Sequence, residues 1–155
     1  MLGRTLVIGR RTNVLLGNDD SLLYLPEKVR ETAKQRGERF NTNAEDYFFI
    51  ARNDFPWDRM IDVIIGRPAY DNYLVAQAIR HNVTVVDATD TLLAFHQTDR
   101  DGNFAGHQNK DSRFNAINIG NFPYTIGLTK SAQYVTKFVI DKLRNSTRVT
   151  LERRH

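Results

Sequence analysis

Cysteine is absent from this 155-residue chain, which excludes disulfide bonds and thiolate chemistry. No apolar run approaches the roughly 20 residues that a membrane-spanning helix needs. The first residues, Met1 to Arg4, also lack the apolar segment of a secretory signal peptide. We therefore expect a soluble chain that folds as one domain over residues 1–155, in a compartment that the sequence leaves unknown.

The charge balance is basic but dispersed. The formal net charge is +4 and the pI is about 9.5, values that would permit binding to a polyanion. Most basic residues alternate with acidic ones instead of forming a dense stripe, so we interpret them as a solvated surface and do not expect nucleic acid as a partner. Arg10 and Arg11 are an exception, because they follow a strand candidate at a place where a phosphate could bind.

The segment from Gly66 to Gln97 is the part of the chain around which we place the other elements. Apolar residues recur with helical spacing from Tyr70 onwards, which predicts a helix of roughly three turns that ends near Asn82. Proline fits the first turn of a helix, and an acid there lies near unpaired N–H groups. We therefore expect this helix to begin at Pro68, with Asp71 near its start.

Two short strands are predicted after this helix. The β-branched run Val83–Val86 shows little alternation, which is typical of a strand covered on both faces, and Asp87 closes it. After a polar turn, Leu92–Phe95 forms a second short apolar element. We expect it to place His96 and Gln97 at its end.

The predicted architecture is an α/β domain with a small mixed sheet flanked by helices. Its expected elements are the strands Thr5–Ile8, Asp46–Ala51 and Val83–Val86 and the helices Glu27–Arg36 and Pro68–Arg80. Beyond them, the spacing of Ala132, Val135, Val139 and Leu143 predicts a further helix over Thr129–Leu143, followed by a frayed tail. Gly17–Ser21, Thr98–Asp111 and Asn115–Gly127 are predicted to be loops or irregular segments.

Three residues are candidates for chemistry when they are considered singly. A carboxylate at a helix start keeps its charge and can take a proton, so Asp71 is the best candidate for a general base, although an acid in this position more often only caps the helix. Trp57, the only tryptophan, lies in a predicted loop and could stack on a sugar or pack at the edge of the core. His96 could bind a metal ion, but a lone histidine is more often structural.

Several short motifs in register carry a family resemblance. They are Ile8-Gly9-Arg10-Arg11, Asp46-Tyr47-Phe48, Gly66-Arg67-Pro68 with Asp71-Asn72, Val86-Asp87-Ala88-Thr89, and His96-Gln97. Together they resemble the carboxyl-terminal half of a nucleotide-sugar-dependent glycosyltransferase with the GT-A fold, in the superfamily of nucleotide-diphospho-sugar transferases. The resemblance runs from about Leu6 to Lys137 and implies a Rossmann-like fold.

This resemblance implies roles for individual residues. Asp71 would be the catalytic base that acts on an acceptor hydroxyl, and His96 would help to hold Mn²⁺ or Mg²⁺ at the donor diphosphate. Asp46 would lie near the acceptor, Arg10 near the nucleotide, and Asn72 beside the base. Trp57 completes our set of substrate-binding candidates because of its aromatic ring. The implied ligands are a nucleotide-sugar donor and a glycan or another hydroxyl acceptor.

One departure from the family pattern concerns activity. These enzymes bind the nucleotide in an amino-terminal half that ends in an Asp-x-Asp motif, and the present chain begins after that point. We therefore expect no turnover by the chain alone. The alternatives are an acceptor-side portion of an active enzyme, an inactive derivative that serves as a binding or scaffold subunit and, well below both, a nucleic-acid module. Missing neighbours would leave a sheet edge exposed, so we expect a protein partner or self-association there.

Overall fold

The structure is a computed structural model that describes residues 3–17, 25–98 and 105–154. It is a mixed α/β fold with two mixed sheets and few helices, which confirms the coarse fold class. Most of the predicted loop Gly17–Ser21 and the first part of the loop Thr98–Asp111 lie outside the described residues. Within the described ranges, no helix has the length and apolar character required to cross a membrane.

The larger sheet has five strands in the order β4-β1-β5-β7-β8. Their bounds are β1 Thr5–Gly9, β4 Tyr47–Ile50, β5 Thr84–Asp87, β7 Tyr134–Asp141 and β8 Ser146–Arg153. Strands β1, β5 and β7 are parallel, whereas β4 and β8 run antiparallel at the two edges. The three parallel strands therefore have their carboxyl ends at one end of the sheet.

A smaller sheet has three strands in the order β3-β2-β6. They are β2 Arg11–Leu15, β3 Glu38–Arg39 and β6 Ala94–Thr98. Because only Arg10 separates β1 from β2, the second sheet begins where the first strand of the larger sheet ends. Strands β2 and β6 are parallel, and β3 pairs with β2 in the antiparallel direction.

Two longer helices and several short ones accompany the sheets. They are α1 Pro26–Arg36, α2 Tyr70–Arg80, α3 Ala105–Gln108 and α4 Phe114–Ile119, with 3₁₀ turns at Trp57–Arg59, Tyr124–Ile126 and Thr129–Ser131. The main core lies between α2 and the sheet, where Leu74 and Val75 pack with the buried strand residues Leu6, Ile8 and Val85. Burial of this apolar face is the chief stabilising contribution.

Helix α2 begins two residues later than the position of Pro68 predicts. The residue before it, Ala69, has a left-handed φ of 72°. Asn115 of α4, which is fully buried, holds the backbone of the irregular segment before α2 in place. Its amide nitrogen lies 2.9 Å from the Ile64 carbonyl oxygen and 3.2 Å from that of Pro68, and its Oδ1 accepts a 2.7 Å bond from the Ile64 N–H. Pro68 is thereby kept outside the helix, while Asp71 remains in its first turn.

The prediction of a helix over Thr129–Leu143 is wrong. The segment contains a single 3₁₀ turn and then β7, and the tail that was expected to fray forms β8. Strands β7 and β8 pair without a break from Tyr134 with Arg153 to Asp141 with Ser146. The reason is that Val135 to Ile140 is rich in β-branched and aromatic residues, which fit a pleated sheet better than a helix.

Two further predictions are corrected. Strand β6 begins at Ala94, so Leu92 and Leu93 lie before it and are partly exposed, while His96 lies in the middle of the strand instead of at its end. The segment Asn115–Gly127 is not wholly irregular, because it includes most of α4 and a 3₁₀ turn.

Candidate active site

Acidic side chains meet at the end of the larger sheet where β1 and β5 finish. Asp46 lies just before β4, and its N–H donates a 2.9 Å bond to the Gly9 carbonyl at the end of β1. Glu45 precedes it, and the Glu45 N–H donates a 3.2 Å bond to Oδ2 of Asp71. We call Glu45, Asp46 and Asp71 the carboxylate cluster. In α/β sheets, ligands bind at the carboxyl ends of the parallel strands, and the cluster lies there.

Asp71 is half-buried and held by backbone donors. Besides the bond from Glu45, its Oδ1 accepts a 3.0 Å bond from the N–H of Asn72. Burial raises the pKa of Asp71 above its ordinary value, and the two N–H bonds partly oppose that rise. A carboxylate in this position is a stronger base than one in water, as proton abstraction from a hydroxyl requires.

Glu45 is the most buried member of the carboxylate cluster, with 4% of its surface exposed. Its Oε1 accepts a 2.9 Å bond from the Thr129 hydroxyl. Burial, with a further contribution from the negative charge of Asp71, raises the pKa of Glu45 to about 8. At neutral pH most Glu45 side chains therefore carry a proton. A protonated glutamic acid next to a second carboxyl group can serve as a proton donor.

Asn72 ties the carboxylate cluster to two loops. Its side-chain nitrogen lies 2.8 Å from the Gly127 carbonyl oxygen, 3.0 Å from that of Asn43 and 3.2 Å from Oε2 of Glu45. Two amide hydrogens are thus shared among three acceptors. The Asn72 side chain therefore fixes the position of Glu45 relative to the start of α2, and with it the position of Asp71.

Asp46 forms an ion pair with Arg11 at the start of β2. One carboxylate oxygen pairs with the guanidinium, and the other accepts a 3.0 Å bond from the Arg11 N–H. The guanidinium also lies 3.9 Å from the centre of the Phe40 ring. Of the two adjacent arginines named from the sequence, Arg11 is therefore the one that contacts the carboxylate cluster.

Arg10 lies next to this ion pair but makes different contacts. Its N–H donates a 3.1 Å bond to the Thr89 hydroxyl, and its Nη1 donates a 3.3 Å bond to the Phe40 carbonyl. Its Nε is buried and has no hydrogen-bond partner among the residues that the structure describes. A buried cationic donor with unused capacity is the kind of group that can bind a phosphate oxygen.

Asp87, at the end of β5, lies within a second polar network. Its Oδ2 accepts a 2.7 Å bond from Arg154, whose guanidinium also donates to the Thr129 carbonyl. Its Oδ1 accepts bonds from the N–H and the hydroxyl of Thr89. Asp87 thus closes the strand and anchors Arg154, which lies just after β8. Thr129 contacts both this network and Glu45, and so connects Asp87 to the carboxylate cluster.

His96 lies in the smaller sheet. In the parallel pairing of β2 with β6, Arg11 is opposite Ala94 and Asn13 is opposite His96. Because paired residues share a face, His96 follows Arg11 and Asn13 along one face of this sheet, roughly 7 Å beyond Arg11. Its Nδ1 lies 3.2 Å from the Thr98 hydroxyl. His96 therefore shares a sheet face with Arg11, which pairs with Asp46 of the carboxylate cluster.

The metal prediction is only partly accommodated. In the described ranges, no group of three or more histidine or acidic side chains is arranged to hold a metal ion. His96 alone would supply one ligand, so these residues do not fit a complete Mn²⁺ or Mg²⁺ site.

Trp57 lies at the opposite end of the larger sheet. Strand β4 begins opposite Gly9 and ends opposite Leu6, so the segment that follows it returns to the amino-terminal end of β1. There Trp57 is 50% exposed, packs with a tilted ring against Phe55 at a centroid distance of 4.4 Å, and donates its indole N–H to the Arg52 carbonyl at 3.1 Å. The structure therefore brings Asp46, Asp71 and Asn72 together, with Arg10 nearby, and leaves Trp57 apart.

A cleft of about 670 Å³ also opens at the carboxyl end of β5. It lies between α1 and the turn from Thr89 to Leu93, and Phe138 of β7 forms another part of its wall. Arg39 at its rim pairs with Asp90 at 2.7 Å. The described residues that line this cleft include none of the predicted site residues. A ligand in it would therefore approach the cluster from the side of Thr89 and Arg10.

Glu45, Thr129 and Arg154 were not predicted as site residues from the sequence. The only signal for Glu45 was that it stands directly before Asp46, and adjacent acids usually point in different directions. Thr129 and Arg154 are far from the cluster in sequence and had no motif of their own. A scan against protein-family models, a search of curated proteins and a search of solved structures each find no match to this chain.

Proposed function

We propose that this chain is the acceptor side of a glycosyltransferase of the GT-A type. Completed by a nucleotide-binding half, it would transfer a sugar from a nucleotide-sugar donor to an acceptor hydroxyl. The single observation that supports the proposal most is the position of Asp71. It lies at a helix start beside the carboxyl ends of two parallel strands, and its basicity is raised by burial.

The proposed chemistry uses residues of this chain for proton transfer and positioning. The acceptor oxygen forms a bond to the anomeric carbon as its O–H proton passes to Asp71, and the bond from that carbon to the diphosphate breaks. Asn72 and the Glu45 N–H hold the Asp71 carboxylate in place for this step. Arg10, through its unused Nε, would bind the nucleotide side, and Asp46 would lie toward the acceptor.

Mn²⁺ or Mg²⁺ remains part of the proposal through the family resemblance. Such an ion neutralises the charge that develops on a departing diphosphate. Because His96 is a single ligand, the remaining ligands would have to come from the donor and from a nucleotide-binding half. No step in the proposed proton transfer depends on the ion.

Calorimetric titration of the chain with UDP-sugars and GDP-sugars in the presence of Mn²⁺ tests this proposal. We expect saturable binding that is weakened by His96→Ala. The matched control is His81→Ala, which removes an imidazole at the end of α2, near Arg4 and the amino-terminal end of β1. Equal loss in the two variants, or no loss in either, would contradict a role for His96.

A second candidate function is an inactive, glycosyltransferase-derived binding or scaffold subunit. The observation in its favour is that both Asp71 carboxylate oxygens already accept backbone N–H bonds, as in a purely structural helix start. No heat of binding with any donor sugar, together with a normally folded chain, would favour this alternative. Trp57 as a sugar-stacking residue would then be a separate site at the other end of the sheet.

A further inference from the structure

The β7–β8 hairpin, formed by Tyr134–Asp141 and Ser146–Arg153, extends beyond the rest of the larger sheet. Strand β5 pairs with β7 only at Tyr134 and Val135, so from Thr136 onwards the hairpin is a two-stranded ribbon. Two-stranded ribbons are marginally stable in water on their own. The outer edge of β8 has no neighbouring strand in the described part of the chain.

One face of this hairpin is apolar and open. Phe138 is opposite Val149, Thr136 is opposite Leu151, and Ile140 is opposite Thr147. Phe138, Ile140, Val149 and Leu151 are between 48% and 70% exposed. Strand β8 contains no proline and no break in its pairing, two devices that protect a sheet edge, but it does carry the charged residues Arg148, Glu152 and Arg153, of which Glu152 pairs with Lys137 within the hairpin. The edge is thus suited to pairing with another strand.

Symmetry restricts how β8 could pair with a second copy of itself. A two-fold axis perpendicular to the sheet makes the two strands antiparallel and leaves each face on its own side. A residue on the apolar face must then stand opposite another residue of that face, because a slip by one residue would exchange the faces. Only registers that place a β8 residue on the axis, opposite itself, satisfy this condition.

Among these registers, the one centred on Thr150 makes the two strands complementary. It places Arg148 opposite the second copy's Glu152 twice, and Val149 opposite the second copy's Leu151 twice. A register centred on Leu151 would place Arg148 opposite Arg154 and Val149 opposite Arg153. A register centred on Val149 would place Arg148 opposite a threonine. A parallel, in-register pairing would oppose Arg148 to itself. Opposite charges and apolar pairs across strands are stabilising, and like charges are destabilising.

We propose that the chain forms a homodimer in which the β8 strands of two copies pair antiparallel about Thr150. The five-stranded sheets then join into one continuous sheet. The apolar residues Phe138 and Val149 of one copy lie in a row with Leu151 of the other. This inference does not depend on the proposed function, because the hairpin contributes no residue to the carboxylate cluster.

Charge reversal tests the register. Arg148→Glu opposes two acids at both symmetric positions, and Glu152→Arg opposes two bases, so each variant should dimerise on the order of tenfold more weakly than the natural chain. A mixture of the two variants restores opposite charges in a heterodimer, and the double variant restores them in a homodimer. Lys34→Glu on α1 is the control for the change in net charge.

Sedimentation velocity over a range of concentrations measures these states with the full chain. We expect a dimer for the natural chain, for Lys34→Glu, for the double variant and for the mixture, and weaker dimers for each single variant alone. A natural chain that stays monomeric, or that forms open-ended oligomers, would overturn the proposal. So would single variants that dimerise as tightly as the natural chain.

The absence of cysteine permits a second, direct test. Thr150→Cys places two thiols on the axis with Cα atoms about 5 Å apart, which is within reach of a disulfide. Thr147→Cys is the matched control, because the two copies of that residue would be about 20 Å apart. Mild oxidation should cross-link the first variant and not the second. Equal cross-linking of both would show that the strands collide without a fixed register.

Discussion

The carboxylate cluster and the β7–β8 hairpin belong to the same sheet and differ in almost every physical respect. Glu45 is buried and hydrogen-bonded to residues distant in sequence, whereas Phe138 and Ile140 are apolar and largely exposed. The cluster concentrates groups that are costly to bury unless they are paired. The hairpin exposes groups that are costly to leave in water. Neither arrangement is what stability alone would favour, which makes both regions candidates for function.

The largest loss of stability should come from a substitution at Gly127, whose carbonyl accepts a bond from Asn72 beside the carboxylate cluster. A β-carbon at this position would lie 1.9 Å from the Asn72 carbonyl oxygen and 2.6 Å from the Ala76 nitrogen. We expect Gly127→Ala to reduce the free energy of unfolding by about 4 kcal/mol, because the helix backbone cannot move away easily. Urea unfolding checks this, with Gly3→Ala, which meets no atom within 4 Å, as control. Equal stability of both variants would contradict the close approach.

The pH dependence of stability should reveal Glu45. Its pKa is raised from 4.5 to about 8 in the folded state, so the folded state holds a proton that the unfolded state releases. The stabilisation that this proton provides is fully present below pH 4.5 and is lost as the pH rises through 8. Between these values the free energy of unfolding falls by about 1.4 kcal/mol per pH unit for one proton.

Urea unfolding between pH 5 and pH 8.5 measures that slope. Glu45→Gln should flatten it, whereas Glu31→Gln on the exposed face of α1 should leave it unchanged. The raised pKa of Asp71 changes stability with pH in the same direction. Identical slopes in all three proteins would show that Glu45 does not take up a proton on folding.

The shared amide of Asn72 should give the next largest effect. Asn72→Ala leaves three acceptors without their common donor, and we expect a loss of about 2 to 3 kcal/mol in the free energy of unfolding. The control is Asn118→Ala, which removes one exposed amide that bonds to the Asp62 carbonyl at 3.3 Å. A loss of stability for Asn118→Ala as large as that for Asn72→Ala would mean that the network around Glu45 stabilises the fold no more than one exposed hydrogen bond does.

The smallest loss in the free energy of unfolding should come from a substitution in the β7–β8 hairpin. Phe138 is 56% exposed, so Phe138→Ala should cost less than about 1 kcal/mol in a dilute, monomeric sample. Phe55→Ala, which truncates a core phenylalanine that is 6% exposed, should cost about 3 kcal/mol or more under the same conditions. Similar losses in the two variants would mean that the exposed face of the hairpin is covered within the monomer.

Local patterns were enough to predict the elements of the central core. The β-branched run Val83–Val86 predicted β5 to within one residue, and the helix predicted over Glu27–Arg36 matches α1 apart from its first residue. The segment Thr129–Leu143 failed because Val135, Val139 and Leu143 satisfy a helical spacing by chance. The stronger signal was its β-branched and aromatic content, followed by a turn at Asn145, where φ is positive, and by the alternating strand Ser146–Arg153.

The site was predictable only where single positions carried the signal. Asp71 lies at a recognisable helix start and could be named from the sequence, whereas Asp46 and Asn72 were named only through the family resemblance. Burial and the charge of Asp71, which lies 26 positions away, raise the pKa of Glu45, and the hydrogen bond from Thr129, 84 positions away, opposes that rise. No local pattern contains those contacts. Arg10 and Arg11 were named together from the sequence, and only the fold shows that Arg11 is the one that pairs with Asp46.

Asn115 has a consequence for how the irregular segment before α2 behaves. One buried amide accepts from the Ile64 N–H and donates to the carbonyls of Ile64, Arg67 and Pro68, as a neighbouring strand would do. The segment is therefore tethered at its middle even though Ile64 itself is 40% exposed. The Ile64 amide should exchange its hydrogen with solvent as slowly as a sheet amide. We therefore expect the segment that leads to Asp71 to be rigid and not to act as a hinge.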